Sequence, residues 1–123
     1  QVQIVRELMK ADCMVYPPHA FRETYGIAFL EAQAAGCLVF YRQNGALGET
    51  VGDRGVPIPI EAKQDEVVQI ILKALSQREE CGRIRWRAKR YGLQRTWAKQ
   101  AEKLLNLYWE LENEQNNGNP SNK

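Results

Sequence analysis

Glu23 and Glu31 stand on either side of Thr24-Tyr25-Gly26-Ile27-Ala28-Phe29-Leu30 in a chain of 123 residues. Two carboxylates so spaced could accept hydrogen bonds from paired hydroxyl groups, each offering two oxygens to a sugar diol. Between them, Gly26 and Ile27 open an apolar helical segment. The backbone N–H groups at that helix start have no intrahelical partner, and the helix dipole adds partial positive charge, so a diphosphate can sit there. Gly26 leaves room for its approach. A carboxylate repels phosphate and suits hydroxyls, so two Glu flanking one anion site point to a nucleotide-sugar.

The elements that must position these residues are legible around them. A strand, Cys13 to Tyr16, ends at Pro17-Pro18, and a loop then carries Glu23. The helix opens near Gly26 and stops at Gly36, and Cys37 to Tyr41 reads as a second strand. Before the first strand, Ile4 with Leu8 and Val5 with Met9 repeat at i to i+4 and predict a helix over 1–10. After the second, Gly45 to Val51 is a loop with a helical turn near Gly48. Val56 to Ile60 is a third strand, placed at a sheet edge by Pro57 and Pro59. Asp65 to Gln77 predicts a helix with Val67, Val68, Ile71, Leu72 and Leu75 facing in. Another follows from Glu79 to Tyr91. A last one, capped by Thr96, runs to Glu112 with Trp97, Ala101, Leu104, Leu105, Tyr108 and Leu111 on one stripe. Residues 113–123 are Asn-rich and expected to be disordered. Strands separated by helices imply a parallel, doubly wound sheet of about three strands, with ligands at the carboxyl ends.

Composition narrows the classes. With 44% hydrophobic and 26% charged residues, the chain reads as a soluble globular domain. A net charge of +2 is low for a nucleic-acid binder. The basic run Arg83, Arg85, Arg87, Lys89, Arg90 and Arg95, interleaved with Trp86, Tyr91 and Trp97, is compatible with RNA or an anionic membrane surface. It fits better the solvated face of an outer helix whose buried stripe is Cys81, Ile84, Ala88 and Tyr91. Three cysteines without a CxxC pair make no disulfide framework, and a reducing, cytoplasmic location follows as the expectation. His19 is the only histidine, so neither a zinc cluster nor a Ser-His-Asp triad can be assembled. No catalytic metal or cofactor is expected.

The segment around the two glutamates resembles the Glu-x7-Glu signature of retaining glycosyltransferases of the GT-B fold, family 4 in particular. Ala11-Asp12-Cys13-Met14-Val15-Tyr16-Pro17 is similar to that family's strand before the donor loop, and Glu31-Ala32-Gln33-Ala34-Ala35-Gly36 to its Glu-Ala-Met-Ala-Ala-Gly. Gly45-Ala46-Leu47-Gly48-Glu49-Thr50-Val51 resembles its Gly-Gly-x-x-Glu-x-Val loop, with Ala46 in place of the second glycine. The resemblance implies that residues 1–112 are the C-terminal half of a donor-binding domain. It casts Glu23 as the catalytic residue contacting the donor sugar and Glu31 as the ribose ligand. Thr24, Tyr25, Gly26, Ile27, Gly45, Ala46 and Leu47 would complete the donor wall. The implied reaction moves a hexose from a nucleoside diphosphate to an acceptor hydroxyl with retention and without metal. The nucleobase pocket and acceptor site of such enzymes lie upstream, so a preceding domain or companion chain is an expected partner and this chain alone is expected to be inactive. Homo-oligomers and peripheral membrane contact stay open, and no nucleic-acid partner is expected. The rival reading is a non-catalytic nucleotide-sugar-binding or interaction module of the same ancestry.

Overall fold

Glycine sets both ends of the central helix. The computed structural model describes residues 2–16 and 23–117. In it Gly26 (φ 81°, ψ 50°) and Gly36 (φ 93°, ψ 15°) both adopt the left-handed conformation that side chains avoid, bracketing helix α2, Ile27–Ala35. At the C-terminal end the Gly36 N–H donates to the Gln33 carbonyl at 3.0 Å and the Cys37 N–H to the Ala32 carbonyl at 2.9 Å. This double closure is a Schellman-type cap, and it takes Cys37 out of the following strand. Strand β2 is therefore Leu38–Arg42, one residue later than the apolar run predicts.

Three strands form one parallel sheet in the order β1 (Cys13–Tyr16), β2, β3 (Val56–Ile58). The register aligns Cys13 with Leu38 and Tyr16 with Tyr41 on one side, and Phe40 with Val56 and Arg42 with Ile58 on the other. Every residue of β2 is buried, as expected for a strand covered on both faces. Alternation sends Val39 and Tyr41 to one face, where they pack with Phe29, Ala32, Leu47 and Val51. Leu38 and Phe40 go to the other, with Ile58, Ala62 and Val67. Helix α1 (Val2–Lys10) packs beside α2 on the first face, its Leu8 reaching the core. The α/β class and the flanking-helix architecture read from the sequence are those observed.

Two expected details differ. Strand β3 stops at Ile58 rather than Ile60, because the carbonyls of Pro59, Ile60 and Ala62 turn toward the Arg42 guanidinium instead of a ladder. On α4 (Gln64–Ser76) the packed track is Val67, Ile70, Ile71 and Ala74, whereas Val68, Leu72 and Leu75 are exposed. The apolar arc of that helix is wider than the edge of the sheet behind it. Between β2 and β3 lie a helical turn, α3 (Leu47–Thr50), and a 3₁₀ turn over Gly52–Arg54.

Helix α5 (Arg78–Gln94) passes near the starts of β1 and β2, where its Arg85 meets Asp12 and the Gly36 carbonyl. Cys81 and Ile84 join the α4 face, Ala88 is fully buried, and Gly92 lies so close to α2 that a Cβ there would stand 2.7 Å from the Ala34 nitrogen. The chain separates into two compact units, 1–93 and 94–123. The second consists of helix α6, Trp97–Asn117, whose first turn is capped by Thr96 accepting the Lys99 N–H at 3.3 Å. Helix α6 continues past Glu112 through Glu114 and Gln115, good helix formers that outweigh the neighbouring asparagines. Among the described residues no helix is long and apolar enough to cross a membrane.

Candidate functional site

The carboxyl end of a parallel sheet is where its loops gather, and here the loops after β1 and β2 meet. Glu23 lies half-buried at the meeting point. Its carboxylate accepts the Gly26 N–H at 3.2 Å, and its own carbonyl accepts the Ala46 N–H from the β2–α3 loop at 2.8 Å. Gly45 (φ 61°) makes that approach feasible: a Cβ there would stand 2.3 Å from the Glu23 carbonyl oxygen and 2.9 Å from its nitrogen. Gly26 is similarly enclosed, its absent Cβ facing Leu47 Cδ2 at 2.8 Å, Phe29 Cδ2 at 3.0 Å and Glu23 Cγ at 3.4 Å. Glu23, Gly26, Gly45, Ala46 and Leu47, drawn from two separate segments, thus form one cluster.

Glu23 alters the anion site read from the sequence. The Gly26 N–H is already engaged by the Glu23 carboxylate, so the amides left for a ligand at this helix end are those of Ile27 and Ala28, which have no acceptor among the described residues. No acidic residue lies in the first turn of α2 itself, so the charge that meets its dipole is the Glu23 carboxylate on the Gly26 N–H. Thr24, Tyr25 and Ile27 are exposed around it. Pro17, Pro18, His19, Ala20, Phe21 and Arg22, which belong to the same loop, lie outside the described residues.

Glu31 belongs to the same helix but not to the same cluster. As its fifth residue it lies ~6 Å along the axis from Ile27 and ~40° around it. It borders an apolar cavity of about 400 Å³ shared with Leu8 and Met9 of α1 and with Lys89 and Leu93 of α5. No hydrogen bond or ion pair joins Glu31 to Glu23 among the described residues. The two carboxylates therefore sit in different surroundings: one on a helix-end amide and a neighbouring loop, the other on the side of the helix beside an apolar hollow.

A residue that sequence reasoning missed stands at the end of β2. Arg42 is 2% exposed, and its guanidinium donates to the carbonyls of Pro59 (2.9 Å), Ile60 and Ala62 (2.8 Å). It fastens the β3–α4 loop to the same end of the sheet as Glu23 and Gly45. The available signal was a charge at the close of an apolar run, followed by a proline-rich turn with carbonyls to spare.

Burial also acts on two core groups. It pushes the Cys37 thiol up from its ordinary 9.0, against the opposing pull of Arg85, while the Sγ–H donates to the Leu8 carbonyl at 3.0 Å. It likewise raises the Tyr41 hydroxyl from 10.0, partly offset by a hydrogen bond from Gln43, and that hydroxyl donates to the Gly52 carbonyl at 3.2 Å. Neither is a nucleophile at neutral pH; both stiffen the frame under the site.

The basic run of α5 is largely engaged within the fold. Arg85 donates to the Gly36 carbonyl at 2.7 Å and faces Asp12 at 3.7 Å, Arg87 pairs with Asp53 at 3.3 Å, Arg83 pairs with Glu80 at 2.9 Å, and Arg90 lies over the Trp86 ring. Among the described residues no group of His, Cys, Asp and Glu side chains comes together that could hold a metal ion.

No curated protein and no solved structure matches the chain. The family model for glycosyl transferases group 1 matches residues 1–91, which takes in β1, both loops, α2, the sheet and most of α5. A parallel sheet with its glycine-built loops at the carboxyl end, carried on a sequence that fits this family over most of its length, means that the chain belongs to the glycosyl transferases group 1 and has the function of a glycosyl transferase.

Proposed function

We propose that this chain supplies one wall of the donor site in a GT-B, family-4-like transferase that moves a hexose, with retention, from a nucleoside diphosphate-sugar to an acceptor hydroxyl. Residues 1–112 are then the C-terminal half of the donor-binding domain, completed by a preceding domain or a companion chain. The observation that carries the reading is the Glu23 cluster: a carboxylate set at the start of α2 and braced by the Gly45-Ala46 loop. A ligand whose phosphates approach the Ile27 and Ala28 amides would bring its sugar hydroxyls within reach of the free oxygen of Glu23. Departure of the nucleoside diphosphate builds negative charge on the phosphate, and the helix end stabilises it more as it builds. The departing phosphate takes the acceptor proton on the same face, so the protein needs no general base. Glu31 holds the ribose diol from the side of the helix, and Thr24, Tyr25 and Leu47 shape the rim.

The test is a titration of the protein and of Glu31→Ala with UDP-sugar, GDP-sugar, inorganic pyrophosphate and a short RNA. Loss of a hydrogen bond to a charged group costs ~1.5–3 kcal/mol. Glu31→Ala should therefore weaken nucleotide-sugar binding roughly 10- to 150-fold and leave pyrophosphate nearly unchanged. Equal losses for both ligands would remove Glu31 from the ribose, and salt-sensitive RNA binding in place of nucleotide-sugar binding would overturn the reading as a whole.

A further inference from the structure

The cluster around Glu23 offers a ligand few side chains. Gly26 and Gly45 have none and are held to that: φ is 81° and 61°, and a Cβ would stand 2.8 Å from Leu47 Cδ2 at the one and 2.3 Å from the Glu23 carbonyl oxygen at the other. Leu47 is 2% exposed and packed in the core. Ala46 differs from all three. Its backbone (φ −77°, ψ −3°) lies in the right-handed helical region that L side chains adopt without strain. The residue is half-buried, yet it belongs to neither core cluster. Its N–H is already spent on the Glu23 carbonyl at 2.8 Å. Ala46 therefore meets a ligand with the bulk of its methyl group, and not with a hydrogen bond from its amide.

We infer that Ala46 is a specificity-determining residue of the donor site: its side chain limits what the sugar carries beside Glu23, so that a hydroxyl is admitted there and an acylated amine is not. This rests on the proposed role of the Glu23 cluster as the sugar side of that site. The wall cannot yield to a larger group, because the residues on both sides of Ala46 are fixed. Gly45 is pressed against the Glu23 main chain, and Leu47 is buried against Gly26. Withdrawal would also break the bond from the Ala46 N–H, and with it the brace on Glu23. The two neighbours divide the selection. The Glu23 carboxylate favours hydroxyls by accepting their hydrogen bonds, and the methyl group turns away what is larger. Discrimination by bulk at an apolar surface is modest, roughly 10- to 200-fold for one carbon, and a half-buried wall belongs at the lower end.

The test is an NMR titration of the 123-residue chain, followed at the Ile27 and Ala28 amides, with glucose 1-phosphate, N-acetylglucosamine 1-phosphate and inorganic phosphate. These probes need no nucleobase pocket. The wild type should bind glucose 1-phosphate roughly 10-fold more tightly than its N-acetyl counterpart, and Ala46→Gly should bring the two within about 2-fold of each other. Ala46→Val should weaken both sugar phosphates by roughly 10-fold or more. Inorganic phosphate should bind alike to all three proteins, and both variants should keep the wild-type urea midpoint, since the backbone at this position accepts either residue. A wild type that binds the two sugar phosphates equally, an Ala46→Gly that discriminates as the wild type does, or an Ala46→Val that binds glucose 1-phosphate undiminished would overturn the inference and leave the donor reading standing. A variant that fails to fold would overturn it too, by making the methyl group part of the core. A wild type on which neither sugar phosphate binds more tightly than inorganic phosphate would take the sugar away from Glu23 and overturn both.

Discussion

Gly45→Ala is a small change at an exposed position, and the structure makes it a costly one. Gly45 holds φ at 61°, where an L side chain costs about 1–2 kcal/mol. The new Cβ would also stand 2.3 Å from the Glu23 carbonyl oxygen, a main-chain atom that cannot swing aside. Relief requires the loop to withdraw, which breaks the 2.8 Å bond from the Ala46 N–H to that same oxygen. A lost bond of this kind costs on the order of 1 kcal/mol, and more if the carbonyl stays dry. Together these place the loss at roughly 2–4 kcal/mol. With a urea slope of about 2 kcal/mol/M, the unfolding midpoint should fall by roughly 1–2 M. Gly48→Ala is the internal control. It lies in the same short segment, a Cβ there would meet nothing within 4 Å, and it should be neutral or gain up to ~1 kcal/mol. Equal midpoints for the two variants would show that the β2–α3 loop is not pressed against Glu23, and the Glu23 cluster would dissolve with it.

Glu23→Gln keeps an acceptor for the Gly26 N–H and should leave the unfolding free energy within ~0.5 kcal/mol, whereas Glu23→Ala should lower stability by about 1 kcal/mol through the lost helix-end contact. Both should weaken a nucleotide-sugar relative to the bare nucleotide, which calorimetry would read directly. Arg42→Met leaves the carbonyls of Pro59, Ile60 and Ala62 without their donor and should cost about 3 kcal/mol in the same urea assay. A harmless Arg42→Met would show that the loop holds itself. Cys37 and Tyr41 keep their protons to higher pH in the folded state than in the unfolded chain, whose values are near 9.0 and 10.0. Above pH 9 the folded state therefore binds more protons, and stability should fall as pH rises through these values and beyond. Cys37→Ala with Tyr41→Phe should flatten that fall, and an unchanged profile would count against it.

What the sequence could tell depended on how local the cause was. Gly26 and Gly36 were legible as the ends of α2 because a helix terminus is a local event with a residue suited to it. The start of β2 was misplaced by one residue for a reason equally local but invisible in apolar patterning: the Cys37 amide is spent on the helix cap. The inward face of α4 was drawn too wide, since periodicity marks which residues are apolar and not how much sheet lies behind them. Arg42 was out of reach because its acceptors arise 17 to 20 residues later, in a turn whose carbonyls become a site only when β3 docks. The brace between Gly45 and Glu23 joins two loops through main-chain atoms, and no side-chain pattern encodes it. The two glutamates were visible as a pair; that they occupy different surroundings was not.

The Arg42 peg has a consequence for the order in which the sheet is completed. Strand β3 is three residues long, includes a proline that donates nothing, and pairs on one side only. So few ladder bonds cannot select one alignment over its neighbours with much force. The guanidinium can, because it engages only a fit in which the turn carbonyls of Pro59, Ile60 and Ala62 converge on it. The side chain thus acts as a latch whose engagement fixes the third strand. Native-state hydrogen exchange should find the Val56–Ala62 segment and the first turn of α4 opening as a single cooperative unit, at a lower free energy than β1 and β2. The β3 edge of the sheet would then be the last part to set and the first to loosen.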